Sequence, residues 1–262
     1  MMSGYHREEL KYTLPIESLP ALLRYLSTCG NLDVNHNKET RKYPVVSLYF
    51  DTPQFTFYEE KINGESYRRK VRIRQYRNDF DLTEPFFLEI KEKHNNFIFK
   101  KRASLSAEHS SIITDRDADI SGFKLSEPQM KVIQEFKFLN YVYSLNPILV
   151  IWYERFAFFD KVDSKLRFTI DINLKYSGCA NFLETTKLKN VPFFYIDPTI
   201  AILEIKSQGL LPDWLVAILN RFDLGVKTFS KYTICLDHAF NWGIVKKPAF
   251  EWSYISRQAG VH

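Results

Sequence analysis

The stretch Tyr67–Tyr76, "YRRKVRIRQY", decides how the chain folds. Read as a β-strand, it sends Lys70, Arg72 and Arg74 to one side and Val71 and Ile73 to the other, because successive strand side chains point to opposite faces. The apolar face asks for a core. The three cations in a row ask for an explanation.

The same alternation recurs along the chain. Glu9 and Lys11 share a face in "REELKY", Glu89 and Lys91 in "FLEIK", and Lys100 and Arg102 in "FKKR". Arg155 lies on one face with Tyr153 in "WYERF", Arg167 with Thr169 and Asp171 in "LRFTID", and Glu204 with Lys206 in "LEIK". A single strand of this kind reads as part of an antiparallel sheet with its polar face in water. Repetition of Arg, Lys and Glu on strand after strand, backed by large apolar residues, points instead to a closed barrel whose charged faces converge on a lumen. Cations outnumber carboxylates in that set, so an empty lumen would repel itself and an anion must complete it. Arg grips phosphate oxygens with a planar fork, Lys adds a movable point charge, and a few carboxylates suit a hard divalent ion.

The rest of the sequence fits such a domain. Its 262 residues, 45% hydrophobic and 16% aromatic, suffice for a large core, and a net charge of +5 permits an anionic partner. Cys29, Cys179 and Cys235 are far apart and read as reduced thiols. With no signal-like or membrane-length apolar run, the expectation is a cytoplasmic protein. Strands are expected in "GYHREELKYTL", "PVVSLYFD", "YRRKVRIRQY", "PFFLEIKEK", "FIFKKRASL", "ILVIWYERFAFFD", "KLRFTIDINLKY" and "IAILEIKS". Helices are expected in "SLPALLRYLSTCG", after Thr52 with Pro53 in the first turn, and in "SEPQMKVIQEFKFLNYVYSL", "PDWLVAILNRFDLG" and "KTFSKYTICLDHAF". The expected class is α+β: an eight-stranded antiparallel closed β-barrel with helices packed on the outside. One domain is expected over residues 1–262, with a helical insertion at about 104–146 and a tail at about 240–262.

The segments "REELKY", "YFDT", "RIRQY", two copies of "LEIK", "KKR", "YER", "LRFTID" and "SKY", in this order from about Tyr5 to about His238, resemble a known family. It is the polyphosphate polymerase (VTC) domain of the triphosphate tunnel metalloenzymes, the superfamily that includes CYTH proteins. No single motif is specific; the ordered set carries the resemblance. It implies a tunnel that binds a nucleoside triphosphate with Mn²⁺ or Mg²⁺ and transfers the terminal phosphoryl of ATP to phosphate or growing polyphosphate. The residues it implies on phosphate are Lys11, Arg72, Arg74, Lys91, Lys100, Arg155, Arg167 and Lys231, with Arg7, Lys70, Arg102 and Lys206 in support. Glu204 would be the principal metal ligand, while Glu9 and Glu89 would assist it or hold neighbouring cations in place. Parity puts Lys100, not Lys101, on the face of Arg102.

Hydrolysing members typically begin E-x-E-x-K, whereas Arg7 stands first in "REELK". Losing that carboxylate weakens a second metal site and so one route to an activated water, which favours the polymerase branch. The rival readings are a tunnel triphosphatase of inorganic or organic triphosphate, a cyclase, and a non-catalytic polyphosphate- or nucleotide-binding module. A nucleic-acid module is disfavoured because carboxylates are interspersed among the cations and no fingerprint is present. The six histidines show no metal-ligand spacing, and Ser230 reads as a helix cap rather than a nucleophile.

Overall fold

The structure, a computed structural model, describes residues 8–33, 37–95, 97–179, 187–188 and 191–247; the expectations for Arg7 and for residues 248–262 lie outside the described residues. In chain order the strands are β1 Glu8–Pro15, β2 Gly30–Leu32, β3 Tyr43–Asp51, β4 Tyr67–Gln75, β5 Phe80–Asp81, β6 Phe86–His94, β7 Phe97–Leu105, β8 Asn146–Asp160, β9 Arg167–Gly178, β10 Lys187–Leu188, β11 Phe194–Tyr195 and β12 Ile200–Ser207. The helices are α1 Leu19–Cys29, α2 Thr56–Ile62, α3 Ser111–Thr114, α4 Glu127–Tyr143, α5 Asp213–Arg221 and α6 Lys231–Asn241. Among the described residues no helix is long and apolar enough to cross a membrane.

All the long strands pair antiparallel, in the order β1-β12-β9-β8-β3-β4-β6-β7. Two short strands extend this path, β2 on β8 and β11 on β9, so the sheet has ten strands, while β5 and β10 form a separate ladder. The expectation of a closed eight-stranded barrel is therefore corrected: β1 and β7 end the path and share no ladder among the described residues. A physical reason is visible at β1. Its free edge is taken by the coil before α6, where Lys227 N donates to Lys11 O at 2.7 Å. Side chains then span the seam, with Lys91 of β6 reaching Glu9 of β1 at 3.0 Å.

The apolar faces are covered as their alternation requires. On one half of the sheet, α4 lays Val132, Ile133, Phe136 and Leu139 into the cluster that holds Val71, Ile73, Leu88 and Ile90. Ser126 and Gln129 form a capping box at its start, with Pro128 inside the first turn. On the other half, Leu22 and Leu26 of α1 and Leu215 and Leu219 of α5 pack with Phe168, Ile170, Leu203 and Ile205. Each such buried side chain stabilises by about 1.5–3 kcal/mol over its exposed state.

The third cluster departs from the expectation that the helices lie outside. Tyr232, Cys235, Leu236 and Ala239 of α6 pack on Tyr49, Leu149, Ile151, Tyr153 and Tyr176. Tyr49 and Tyr153 alternate in register with Ser47 and Arg155, so α6 sits on the charged side and floors the concavity. A bulge allows β9 to serve it: Asn173 has φ +55°, the β8 register shifts between Trp152 and Glu154, and Leu174 and Tyr176 turn to the side already occupied by Asp171. Helix α2 starts at Thr56 rather than in the Thr52–Pro53 turn, with the Thr52 hydroxyl accepting from Thr56 N at 3.0 Å. Residues 104–124, read as loop, include the one-turn α3.

Arg69 shows what the outward side of β4 does with a cation. It packs over Phe57 and Tyr143 and is paired with the buried carboxylate of Glu60, which also accepts from Arg69 N at 2.7 Å. Glu60→Ala would leave a buried guanidinium unpaired and should cost about 3 kcal/mol of stability. Urea unfolding measures this, and a cost below about 0.5 kcal/mol, that of an ordinary surface substitution, would contradict a structural role for the pair.

Candidate active site

Alternation on β4, β6 and β7 brings four cations onto one carboxylate. The side chain of Glu89 is 2% exposed. Its Oε2 accepts from Arg72 Nε at 2.7 Å, and Lys100 Nζ lies 2.8 Å from Oε1. Arg102 Nε and Arg74 Nη1 follow at 3.4 and 3.9 Å. Burial alone would raise the Glu89 carboxyl, but Arg72, Arg74 and Lys100 outweigh it and hold the group far below the carboxylate range. Both Glu89 oxygens thus face cations, Oε2 toward Arg72 and Oε1 toward Lys100. Tyr49 Oη accepts from Arg72 Nη1 at 2.8 Å, and Arg74 donates weakly to Ser47 and Tyr153. Lys101 turns outward to Glu92 and Glu135.

Across the concavity a second carboxylate does the same work. Arg155 makes a two-pronged contact to Asp171 at 2.6 and 2.7 Å, and Lys231, the first residue of α6, reaches the same group at 2.6 Å. Asp171 is fully buried, and although burial opposes its charge, Arg155 and Lys231 keep it ionised. Arg167 pairs with Asp33 at 2.9 Å. Its Nε and the neighbouring Thr169 hydroxyl are buried without a hydrogen-bond partner among the described residues. Two such donors beside the cations are positions that ligand oxygens would satisfy.

Between these groups lie Glu9 and Glu204. Burial and the repulsion of Glu204 both push the Glu9 carboxyl up, yet Lys91, Lys11 and Lys206 bring it down to about 2. Glu204 is likewise held well below the usual range: burial is overcome by Lys206, Lys11, Lys231 and Arg155. Lys11 binds Glu9 at 2.9 Å and the carbonyl of Phe229 at 3.0 Å, and Lys206 is ion-paired with Glu204. Two ionised carboxylates close enough to repel suit a hard divalent ion. Among the described residues no group of three or more His, Cys, Asp or Glu side chains forms a metal cage. Glu204 and Glu9 are the residues that would hold such an ion, supplying the oxygen ligands a hard cation prefers.

Lys70 donates to Ser230 Oγ at 2.8 Å, and burial with the charges of Lys11, Lys91 and Arg72 drives its ammonium well below the ordinary lysine range. Ser230 also caps α6 by accepting from Thr233 N at 3.3 Å. The concavity thus gathers the described cations named from the sequence: Lys11, Lys70, Arg72, Arg74, Lys91, Lys100, Arg102, Arg155, Arg167, Lys206 and Lys231. Its carboxylates are Glu9, Glu89, Glu204, Asp171 and Asp33. Ser230 caps α6 as the sequence suggests, but its bond to Lys70 was not foreseen. Sequence reasoning also missed Asp171, Asp33 and the tyrosine hydroxyls as working parts, and of these Asp171 left a signal, its shared face with Arg167 and Thr169.

An array of fixed cations with paired carboxylates at its centre can align a chain of phosphoryl groups and neutralise it. Three comparisons bear on this geometry. The sequence profile of the VTC domain family matches residues 6–240. The chain is 22% identical over 274 residues to vacuolar transporter chaperone complex subunit 4 of Trypanosoma cruzi; that match covers 87% of this chain and 33% of the relative, so the chain spans about a third of that protein's length. Among solved structures, a Hippeastrum protein described as an adenylyl cyclase with a dominant triphosphatase activity superposes with a TM-score of 0.51 at 16% identity, covering 88% of this chain and 95% of its own. A Bacillus halodurans protein described as an adenylate cyclase gives 0.46 at 13% identity, over 86% and 95%.

The titration of Lys100 makes the site testable. Burial, with Arg72 and Arg74 adding repulsion, brings its ammonium down to about 8 against the pull of Glu89. It is charged below that pH and neutral above, and a polyanion prefers the charged form. Tripolyphosphate affinity should therefore fall by up to about tenfold from pH 8 to about pH 9.5, with proton uptake on binding near pH 8. Calorimetry in buffers of different ionisation enthalpy reads both, and a flat affinity over that range would refute the contact.

Proposed function

Because the chain belongs to the VTC domain family, we propose that it is an ATP-dependent inorganic polyphosphate polymerase, moving the terminal phosphoryl of ATP onto phosphate or a growing polyphosphate chain. The observation that carries this reading is the pair Glu9 and Glu204, ionised and central, flanked by Arg72, Arg74, Arg155 and Lys231. A single enclosed file of phosphoryl groups is the substrate such an arrangement fits.

In the transfer, a terminal oxygen of the acceptor phosphate forms a bond to the γ-phosphorus while the bond from that phosphorus to the β,γ-bridging oxygen breaks. ADP leaves with the electron pair. The acceptor oxygen is already ionised at neutral pH, so no general base is required, and the protein's work is alignment and charge stabilisation. Arg72 and Arg74 are oriented by Glu89, Tyr49 and Ser47, and Arg155 and Lys231 by Asp171, so the donors stand in place before substrate arrives. Lys11 and Lys91, both paired to Glu9, lie where a second phosphate chain can exchange partners with that carboxylate. Glu204 and Glu9 would hold a Mn²⁺ or Mg²⁺ ion, which when bound would supply positive charge to the phosphoryl groups. Most of these contacts are already ion pairs. Ligand binding is then a competition in which phosphate oxygens replace carboxylate oxygens around the same cations.

Incubation with ATP and Mn²⁺ or Mg²⁺, followed by gel analysis, should show long polyphosphate; orthophosphate in step with ADP and no chain growth would assign a triphosphatase. Glu204→Gln should abolish metal-dependent turnover while leaving the fold intact. Arg72→Ala should lower kcat/KM by about 100-fold or more, as loss of an oriented donor to a charged transition state does. Wild-type rates in both variants would place the chemistry elsewhere.

A further inference from the structure

The cross-strand register of β4 and β6 changes character along its length. At the inner end Arg72 faces Glu89, an opposite-charge pair. Moving toward the β6–β7 hairpin, the next pair on this face is Lys70 with Lys91 and the one after it Arg68 with Lys93, while Lys91 also faces Lys100 of β7. Like charges directly opposite one another destabilise a sheet. Lys61, on the neighbouring α2, joins the group: burial lowers its ammonium, and Arg68, Lys11 and Lys93 lower it further. Lys93 is lowered by burial, then by Arg68 and Lys91, against a smaller pull from Glu9. Among the described residues Lys61, Arg68 and Lys93 make no ion pair, whereas on the reverse face Lys101 of β7 is held by Glu92 of β6 and Glu135 of α4. These cations without an ion pair lie together at the hairpin end of β4 and β6 and on α2 beside it.

We propose that Arg68, Lys93 and Lys61, continuing outward from Lys70 and Lys91, form an external track that binds the segment of a linear polyphosphate chain lying outside the concavity. This rests on the polymerase reading of the site and adds to it a directional extension. From Arg74 to Arg68 the row runs six residues, about 20 Å of strand, roughly twice the reach of a triphosphate. A linear polymer fills both ends at once. The row is one side chain wide on each of two adjacent strands, about 4.8 Å apart, which matches a thin chain and not a duplex. On this face neither β4 from Arg68 to Arg74 nor β6 from Glu89 to Lys93 carries an aromatic residue on which a base could stack, which disfavours single-stranded RNA. The chain's charge relieves the repulsion that the register builds in, so occupancy is favoured by the strands themselves.

The test compares wild type with a variant combining Lys61→Ser, Arg68→Ser and Lys93→Ser, residues outside the reacting centre. Calorimetric affinities are measured for tripolyphosphate and for long-chain polyphosphate at two salt concentrations. Wild type should bind the long chain more tightly and with the steeper salt dependence. The variant should keep its tripolyphosphate affinity within about twofold and lose about tenfold for the long chain. Equal long-chain affinity in variant and wild type, with tripolyphosphate still bound by both, overturns the track alone. Failure of wild type to bind either anion overturns the polymerase reading and the track with it. Displacement of long-chain polyphosphate by single-stranded RNA at equal phosphate concentration, lost in the variant, would assign the row to nucleic acid and overturn the proposal.

Discussion

Everything in this structure depends on the cost of holding many cations on one concave face. Unpaired, they would repel one another at a separation where little water remains to screen them. The chain meets that cost with buried carboxylates placed between them, each shared by two or more cations: Glu89 among Arg72, Lys100, Arg102 and Arg74, Asp171 between Arg155 and Lys231, and Glu9 between Lys11 and Lys91. The carboxylates are fewer than the cations, so the fold is completed but the charge is not. The residual positive potential is the part available to a ligand.

The same constraint explains the architecture. A sheet with one strongly charged side can only fold if its reverse is well buried, and α1, α4 and α5 supply that burial. The charged side then needs an enclosing element, and α6 provides it. Its apolar face packs deep in the concavity, while its first residue, Lys231, and its cap, Ser230, stand among the charged groups. Asp51 anchors this arrangement: it accepts from Phe57 N and Tyr58 N of α2 and from the Tyr232 hydroxyl of α6, tying both helices to the end of β3. Tyr232 in turn stacks on Tyr49 with ring centroids 5.1 Å apart, and Tyr49 holds Arg72. Packing at the floor is therefore continuous with the orientation of a guanidinium above it.

Much of this was legible in "YRRKVRIRQY" and its counterparts, because a period of two assigns every residue of a regular strand to a face. It places Val71 and Ile73 in the core, and Lys100 inside with Lys101 outside, as the structure has them. It failed where the period breaks or where a helix chooses its side. The bulge at Asn173 reverses the alternation of β9, and no local signal tells an amphipathic helix such as α6 whether to cover the outer or the inner face. Closure was overestimated for a related reason. Alternation fixes facing but not whether the last two strands meet, and the coil at Lys227 took the edge that β7 would have needed. Alternation put Asp171 on the charged face but not beside Arg155 and Lys231, and gave no sign of Asp33, because a carboxylate's partner is set by the distant strand opposite it.

The facing charges of β1, β4, β8, β9 and β12 are proposed to grip one file of phosphoryl groups. Diffraction from crystals of the protein grown with tripolyphosphate and Mn²⁺ tests it most directly. Phosphorus density should lie in line between the guanidinia of Arg72 and Arg155, with an anomalous Mn²⁺ peak at Glu204. An anion found on the outer surface, with the Glu89 and Asp171 ion pairs undisturbed and no metal at Glu204, would contradict it.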